Sequence, residues 1–455
     1  MLHFGMMCPE VSGHLNPMIT LGNELHRRGH RITFIGHLDG KQQVTDAGLD
    51  FHAIATKAFP LGHWPQAMEL LGKLSGWWAL RFTLHNYRKL AGAIVRDAPA
   101  AIRDLQVDGL LIDQTYSAGG AVAEYVDLPF VTICNALMLN VEAGVPPIVT
   151  PWRYRRGWWA RLRNQLTHIA FEIGTARMRR VVQRHQRKWK QRVHHANAQT
   201  FSPLAQIGQL PQEFDFPRKS LPAHFHYVGP MHASSGRKPV PFNFDRLDGR
   251  PLIYASLGTL QNRIGHVFEK IATACAPLEA QLVISLGRED AELSASLPGN
   301  PIVVPFAPQL ELLKRASLVI THAGMNTAME SLAQGVPMVA IPITNDQPGV
   351  ATRICWTGCG EMMTMWRLTA NRLRKVVERV LVDESYRRNA ERLRHAISSC
   401  GGVKLAADIA ERAVNTGRPV LAGSLPPTSP TVPFENAGTH PNGPLRAIVE
   451  KCRSA

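Results

Sequence analysis

The stretch Leu318-Val-Ile-Thr-His322-Ala-Gly-Met-Asn-Thr-Ala-Met-Glu330 passes from a short apolar run into polar residues, then into a segment whose Met329, Leu332 and Ala333 share one helical face. It reads as a strand, a tight turn at Gly324 and the start of a helix. Asn326 and Thr327 stand where that helix opens, so backbone N–H groups and the positive end of the helix dipole face whatever lies beyond the strand. A diphosphate suits that place. His322, Asn326 and Thr327 add side-chain donors, while Glu330, one turn into the helix, is placed to accept hydrogen bonds from ribose hydroxyls.

Working outward, Gly335 and Pro337 stop the helix, and Met338-Val-Ala-Ile-Pro342 is a second apolar strand leading to Asp346 and Gln347. Both are delivered to the carboxyl edge of a parallel sheet, where open α/β sheets bind ligands. An acid beside an amide grips sugar hydroxyls. Upstream, Pro301-Ile-Val-Val-Pro305 is a strand that runs into Phe306-Ala-Pro-Gln309.

At the amino end, Leu2-His-Phe-Gly-Met-Met-Cys8 reads as a buried strand leading to Gly13-His14-Leu-Asn-Pro17. Pro17 is expected to start a helix with Met18, Leu21 and Leu25 on its buried face and Gly29 at its end, before the strand Arg31-Ile-Thr-Phe-Ile35. His14 thus stands at a strand-to-helix junction. Gly109-Leu-Leu-Ile-Asp113 is another apolar strand, and it ends in a carboxylate able to orient an imidazole. Further strands are Pro129-Phe-Val-Thr-Ile133, Pro251-Leu-Ile-Tyr-Ala-Ser256 and Gln281-Leu-Val-Ile-Ser285. Alternation of strands and helices over 455 residues implies an α/β chain with two cores, each built on a parallel sheet with right-handed crossovers.

Taken together, the aromatic-x-x-Gln element at Phe306 and Gln309, the His-x-Gly-x-Asn-Thr-x-x-Glu element from His322 to Glu330 and the Asp346-Gln347 pair resemble the donor-binding signature of the UDP-glycosyltransferase superfamily. The resemblance implies the GT-B architecture of two facing Rossmann-like domains. It implies Phe306 beside the uracil, Gln309 and Glu330 near the ribose, His322, Asn326 and Thr327 on the diphosphate with Gly324 in the same turn, and Asp346 with Gln347 on the sugar. Ser256-Leu-Gly258-Thr259 resembles a second phosphate-side loop, in which Gly258 allows close backbone approach. Gly13-His14-x-x-Pro17 resembles the catalytic histidine motif, with His14 as general base and Asp113 as its orienting carboxylate. The reaction so implied is a single in-line displacement with inversion at the anomeric carbon.

Singly, these parts have plainer readings: a capped turn for His-x-Gly or Asp-Gln, a core position for Phe306, a structural histidine for His14, a helix cap for Asp113. At these spacings together they describe one site. Ile112-Asp-Gln114, Ser202-Pro-Leu-Ala-Gln-Ile207, Phe214-Asp-Phe-Pro-Arg218 and Asp346-Gln-Pro-Gly-Val-Ala351 are similar to the bacterial carotenoid-glycosylating branch. The Gly13–Pro17 turn looks more like macrolide and flavonoid enzymes. A hydroxylated lipophilic small molecule is therefore the expected acceptor, in a pocket formed by loops at 59–78 and 136–159. A sugar-nucleotide epimerase and an inactive binding protein are the rival readings.

Residues 1–240 are expected to form the acceptor domain and 241–415 the donor domain, joined by the proline-studded passage 230–251; 416–455, rich in Pro, Ser, Thr and Gly, reads as a disordered tail. Net charge is +16, yet thirteen Lys or Arg against the single acid Glu172 put +12 of it in residues 153–192. Trp152, Tyr154, Trp158, Trp159 and Trp189 interleave there, the pattern of a helix lying in an anionic membrane interface or of a solvated basic face. Nucleic acid would suit the same pattern but is not the expected partner. No apolar run of about 18 residues and no signal-peptide pattern occur, and the seven cysteines are odd in number and scattered, so a cytoplasmic or peripheral enzyme is expected. The sequence contains no Asp-x-Asp, so metal-independent transfer with no cofactor beyond the donor is expected.

Overall fold

A computed structural model describes residues 1–74, 76–232, 240–258, 265–288 and 296–424. The first half runs β1 (His3–Met7), α1 (Ser12–Arg27), β2 (Arg31–Gly36), α2 (Leu38–Asp46), β3 (Asp50–Ala53), α3 (His63–Lys73), α4 (Gly76–Leu105), β4 (Gly109–Asp113), α5 (Gly119–Tyr125), β5 (Phe130–Cys134), α6 (Trp158–Lys188), β6 (Gln206–Gly208) and β7 (Phe225–Tyr227). The second runs β8 (Leu252–Ser256), α7 (Gly265–Cys275), β9 (Gln281–Ser285), β10 (Ile302–Val304), α8 (Gln309–Leu313), β11 (Ala316–Thr321), α9 (Met325–Ala333), β12 (Met338–Ala340), α10 (Gln347–Trp356), β13 (Gly360–Met362), α11 (Ala370–Val382), α12 (Glu384–Ser398) and α13 (Gly402–Thr416).

Every strand pairing is parallel, in the orders β3-β2-β1-β4-β5-β6-β7 and β10-β9-β8-β11-β12-β13. Each order reverses once, beside β1 in the first sheet and β8 in the second, and the crevice at such a point is where doubly wound folds bind ligands. Strands β1, β4, β5, β8 and β11 are buried almost throughout because helices cover both sheet faces, which is why they read as continuous apolar runs. The expected pair of Rossmann-like domains in the GT-B arrangement is what the chain forms.

Three expectations change in detail. The passage 59–78, expected as a loop, carries α3 and the start of α4. The helix expected to begin at Pro17 begins at Ser12, so Pro17 lies inside α1. The carboxyl end does not stay with the second domain: α13 buries Ala406, Ile409, Ala410 and Ala413 among Phe4, Leu21 and Leu25 of the first. Arg28 reaches Asp408 at 2.6 Å and Glu411 at 3.0 Å to hold it there. Residues 416–424, placed in the disordered tail, continue on the same side, with Val420 buried and its N–H donating to the Leu204 carbonyl. The rest of the tail and positions 233–239 of the linker lie outside the described residues.

Among the described residues the chain therefore passes between the domains twice. The two passages touch where the Gly402 N–H donates to the Val228 carbonyl at 2.7 Å. Gly229, at φ +79°, leaves no room for a side chain, since a Cβ there would lie 2.5 Å from Cys400 Cβ. One apolar core spans the domain boundary, joining Leu137, Met138, Leu210 and Phe214 to Met325, Met329, Val350 and Leu393. Beside it, buried Arg353 of α10 donates to Asp215 Oδ1 at 2.8 Å, and Arg218 and Tyr227 bond the other carboxylate oxygen. Two guanidinium groups hold the Asp215 carboxyl below its usual range against the opposing effect of burial.

Candidate active site

In the acceptor half, the chain leaves β1 and enters α1 so that His14 sits in the first turn, with Nδ1 2.8 Å from Asp113 Oδ2. Asp113, the last residue of β4, is fully buried and also accepts hydrogen bonds from the Thr115 N–H at 2.8 Å, the Thr115 hydroxyl at 2.5 Å and Asn135 Nδ2 at 2.6 Å. Burial is the largest influence on this carboxyl and pushes its pKa up, but the charge of His14 and the converging donors outweigh it, and the net shift is downward. An ionised Asp113 can only accept. His14 Nδ1 therefore carries the proton in this bond, and in the neutral ring Nε2 keeps its lone pair. For His14 itself, burial again acts most strongly and lowers the pKa, yet the Asp113 charge and hydrogen bond, followed by the charge of Asp346, bring the net shift upward.

Pro17 has a role in this geometry. As the sixth residue of α1 it has no N–H to donate to the carbonyl four residues back, that of Gly13. Asn326 Nδ2, from the other domain, donates to that carbonyl at 3.0 Å.

In the donor half, β11 ends at Thr321, whose hydroxyl accepts from the Ala323 N–H at 3.1 Å to shape the turn. Gly324 precedes α9, and the first helical bond runs from the Ala328 N–H to the Gly324 carbonyl, so the amides of Met325, Asn326 and Thr327 come before the ladder starts. The His322 ring lies between two glycines: a Cβ at Gly258 would be 2.7 Å from it and one at Gly324 2.5 Å. Burial lowers its pKa to about 4, with only a hydrogen bond to the Ser256 backbone opposing. His322 is therefore neutral at pH 7. Ser256 is the buried last residue of β8; Thr259, the other hydroxyl expected here, lies outside the described residues.

Glu330 is buried on α9, and its Oε2 accepts from Gln309 Nε2 at 2.6 Å, while the Tyr254 hydroxyl donates to Gln309 Oε1 at 3.2 Å. His232 Nδ1 lies 3.5 Å from the other Glu330 oxygen. Phe306, two residues past β10, is 38 % exposed. Asp346 accepts from the Leu137 N–H at 3.2 Å, and burial pushes its carboxyl up. Gln347 Oε1 accepts from the Ile343 and Thr344 N–H groups at 2.8 and 3.0 Å, which fixes the loop.

The two halves meet at hydrogen-bonding distance. Besides the Asn326–Gly13 bond, Gln209 Nε2 donates to Asn326 Oδ1 at 3.2 Å and to the Asn135 carbonyl. Both ends of the Asn326 side-chain amide are therefore engaged across the cleft, and its backbone N–H is what it presents at the helix tip. Asn135, Thr115, Gln209 and Tyr254 are site residues that the sequence reading missed. For Thr115 a signal existed, since an Asp two residues before a Thr is a local turn pattern. The other three reach the site only through tertiary structure. Among the described residues no group of three or more His, Cys, Asp or Glu could hold a metal ion.

A family model described as "UDP-glucoronosyl and UDP-glucosyl transferase" matches residues 81–398. A zeaxanthin glucosyltransferase of Pantoea ananas is 35 % identical over 433 residues, covering 93 % of this chain and 99 % of the relative. A second zeaxanthin glucosyltransferase, of Pseudescherichia vulneris, is 31 % identical over 418 residues, covering 91 % and 98 %. Among solved structures, the glycosyltransferase of kitacinnamycin superposes with a TM-score of 0.71 at 23 % identity, covering 90 % of this chain and 98 % of the other, a likeness of fold. The chain belongs to the UDP-glucuronosyl and UDP-glucosyl transferase family and is a GT-B UDP-glycosyltransferase.

Proposed function

We propose that this enzyme transfers a hexosyl group, glucosyl in the first instance, from a UDP-sugar to a hydroxyl of a lipophilic small molecule, with a carotenoid-like alcohol as the favoured acceptor. The observation that carries the reading is the 2.8 Å His14–Asp113 pair, standing across a closed cleft from the amino end of α9. His14 Nε2 takes the acceptor proton as the acceptor oxygen forms its bond to the anomeric carbon from the face opposite the diphosphate. The bond to the UDP oxygen breaks and its electron pair leaves with UDP. His322, the backbone amides at Met325, Asn326 and Thr327, and the helix dipole stabilise the departing charge.

Configuration inverts, so an α-linked donor gives a β-glycoside. Phe306 lies against the uracil, Gln309 and Glu330 hold the ribose, Ser256, Gly258 and Thr259 border the phosphates, and Asp346 with Gln347 binds the sugar. No metal takes part. The enzyme works in the cytoplasm, with residues 153–192 against the anionic inner face of a membrane; among the described residues no helix is long and apolar enough to cross one.

A mass-spectrometric screen with UDP-glucose against hydroxycarotenoids, flavonoids and macrolides, followed by assignment of the anomeric configuration, tests this reading. A β-glucoside of a hydroxycarotenoid is expected. An α-glycoside would overturn the mechanism, and turnover confined to flavonoids or macrolides would overturn the acceptor class. A new UDP-sugar formed without acceptor would identify an epimerase, and donor binding without any turnover a binding protein.

A further inference from the structure

The segment 153–192 divides in the structure into a packed part and an exposed part. Trp152, just ahead of it, lies under the Arg163 guanidinium, Tyr154 stacks on Phe216, and Trp189 stacks on Tyr125, so these three aromatics are structural. On α6 itself, Ala160, Asn164, Thr175, Val182 and Gln186 are buried. At about 100° per residue these five fall on one side of the helix. The opposite side is exposed, and its residues are not those of a solvated face. Trp158, Trp159, Leu162, Leu166, Ile169 and Ile173 fall within an arc of about 100°. All are exposed, Trp158 at 64 % and Ile173 at 69 %. The same arc then continues through Arg177, Arg180, Arg184 and Arg187, all exposed and none in an ion pair among the described residues.

One face of a single helix is thus apolar for its first half, about 24 Å long, and cationic for its second. We propose that this face is a docking surface for an anionic lipid bilayer, in which the Trp158–Ile173 half enters the boundary between headgroups and acyl chains while the four arginines lie on lipid phosphates. The inference sharpens, and rests on, the membrane reading given above. Tryptophan and aliphatic side chains beside unpaired cations match the layered polarity of a bilayer surface. A second copy of the chain does not match it: paired in parallel, the face would set arginines against arginines, and paired antiparallel it would bury them against Leu and Ile. Nucleic acid would satisfy the arginines and leave the apolar half in water.

The position of this face also serves the reaction. Asn164 Nδ2 donates to the Ala143 carbonyl at 3.2 Å and the His168 ring lies 3.2 Å from the Val145 carbonyl, so the amino half of α6 backs the connection that follows β5. That connection touches the donor domain at Leu137–Asp346 and at Ile148–Gly349. A membrane-dissolved acceptor would enter beside the surface that holds the enzyme to the bilayer.

The test is flotation of the full-length protein with vesicles of pure phosphatidylcholine and of phosphatidylcholine containing phosphatidylglycerol. Binding to the anionic vesicles that weakens with added salt is expected. Ile169→Glu with Ile173→Glu, and separately Arg180→Glu with Arg184→Glu, should each weaken it about tenfold or more. Brominated acyl chains should quench tryptophan emission in the wild type, and Trp158→Phe with Trp159→Phe should remove most of that quenching. Transfer to a water-soluble alcohol acceptor should stay within about twofold in the Ile→Glu and Arg→Glu variants, since those four side chains lie outside the site. Vesicle binding untouched by both charge variants would overturn the proposal. So would oligomers that the same variants dissociate, or tight binding to a single-stranded oligonucleotide that ignores the Ile→Glu changes. Because flotation is read without turnover, vesicle binding by a protein inactive on every acceptor would spare this proposal and remove the catalytic one.

Discussion

His14 and His322 both lie just beyond the carboxyl end of a strand, at the opening of a helix, and the two sites have tuned the same imidazole in opposite directions. The His14 pKa is raised because a buried carboxylate, itself held ionised by Thr115 and Asn135, bonds its Nδ1. That of His322 falls to about 4 because desolvation between Gly258 and Gly324 outweighs the hydrogen bond to the Ser256 backbone. One ring is drawn toward its charged form, the other toward its neutral form. The helix dipole of α9 already supplies positive potential on the donor side, so a neutral ring suffices there. Partners, and not residue type, set the chemistry.

The sharpest way to break the comparison is His14→Ala. Turnover with an alcohol acceptor should fall about 10²–10⁴-fold while UDP-glucose binding, measured by calorimetry, stays near wild type. A loss confined to donor affinity would assign His14 to the wrong side of the cleft. Asp113→Asn comes next, with kcat expected to drop about 10²-fold. Its pH profile carries the sign: an ionised Asp113 favours protonated His14, so its removal should lower the His14 pKa and move the acid limb of kcat/KM to lower pH. An unmoved limb would mean that another group titrates.

On the other side, Gly324→Ala should push the His322 ring from its seat. A lost hydrogen bond to a charged group predicts a rise of about tenfold in KM for UDP-glucose with little change in the alcohol KM. The smallest effect sharpens the contrast most. With His322 neutral throughout, UDP-glucose affinity in the absence of acceptor should vary less than about twofold between roughly pH 5.5 and 8.5. A titration near 6.5 in that binding curve would show that His322 charges after all.

How far the sequence led depends on how local each feature is. Buried strands such as β1, β4 and β11 were legible as apolar runs, and the opening of α9 as a turn followed by a helical period. β6, β7 and β13 have three residues each, too few for any period, and take their conformation from a neighbour's unpaired edge. The start of α1 was misplaced because proline is commonest at a first helical position, and here Pro17 is instead an interior residue whose missing donor is replaced from the other domain. The amphipathic pattern of α13 was available, but not which of two cores would receive it. Likewise the charge of 153–192 was plain, while the exposed stripe of α6 became visible only once its other face had been buried.

The paired passage of the backbone between the halves, at Val228–Gly229 and Cys400–Gly402, bears on how such an enzyme admits and releases its substrates. Two adjacent tethers leave one easy bending axis and resist twisting or sliding about it. Opening should therefore swing the rear sheet away along a single arc and bring it back in register, so that each catalytic cycle re-forms the same alignment of imidazole and helix tip.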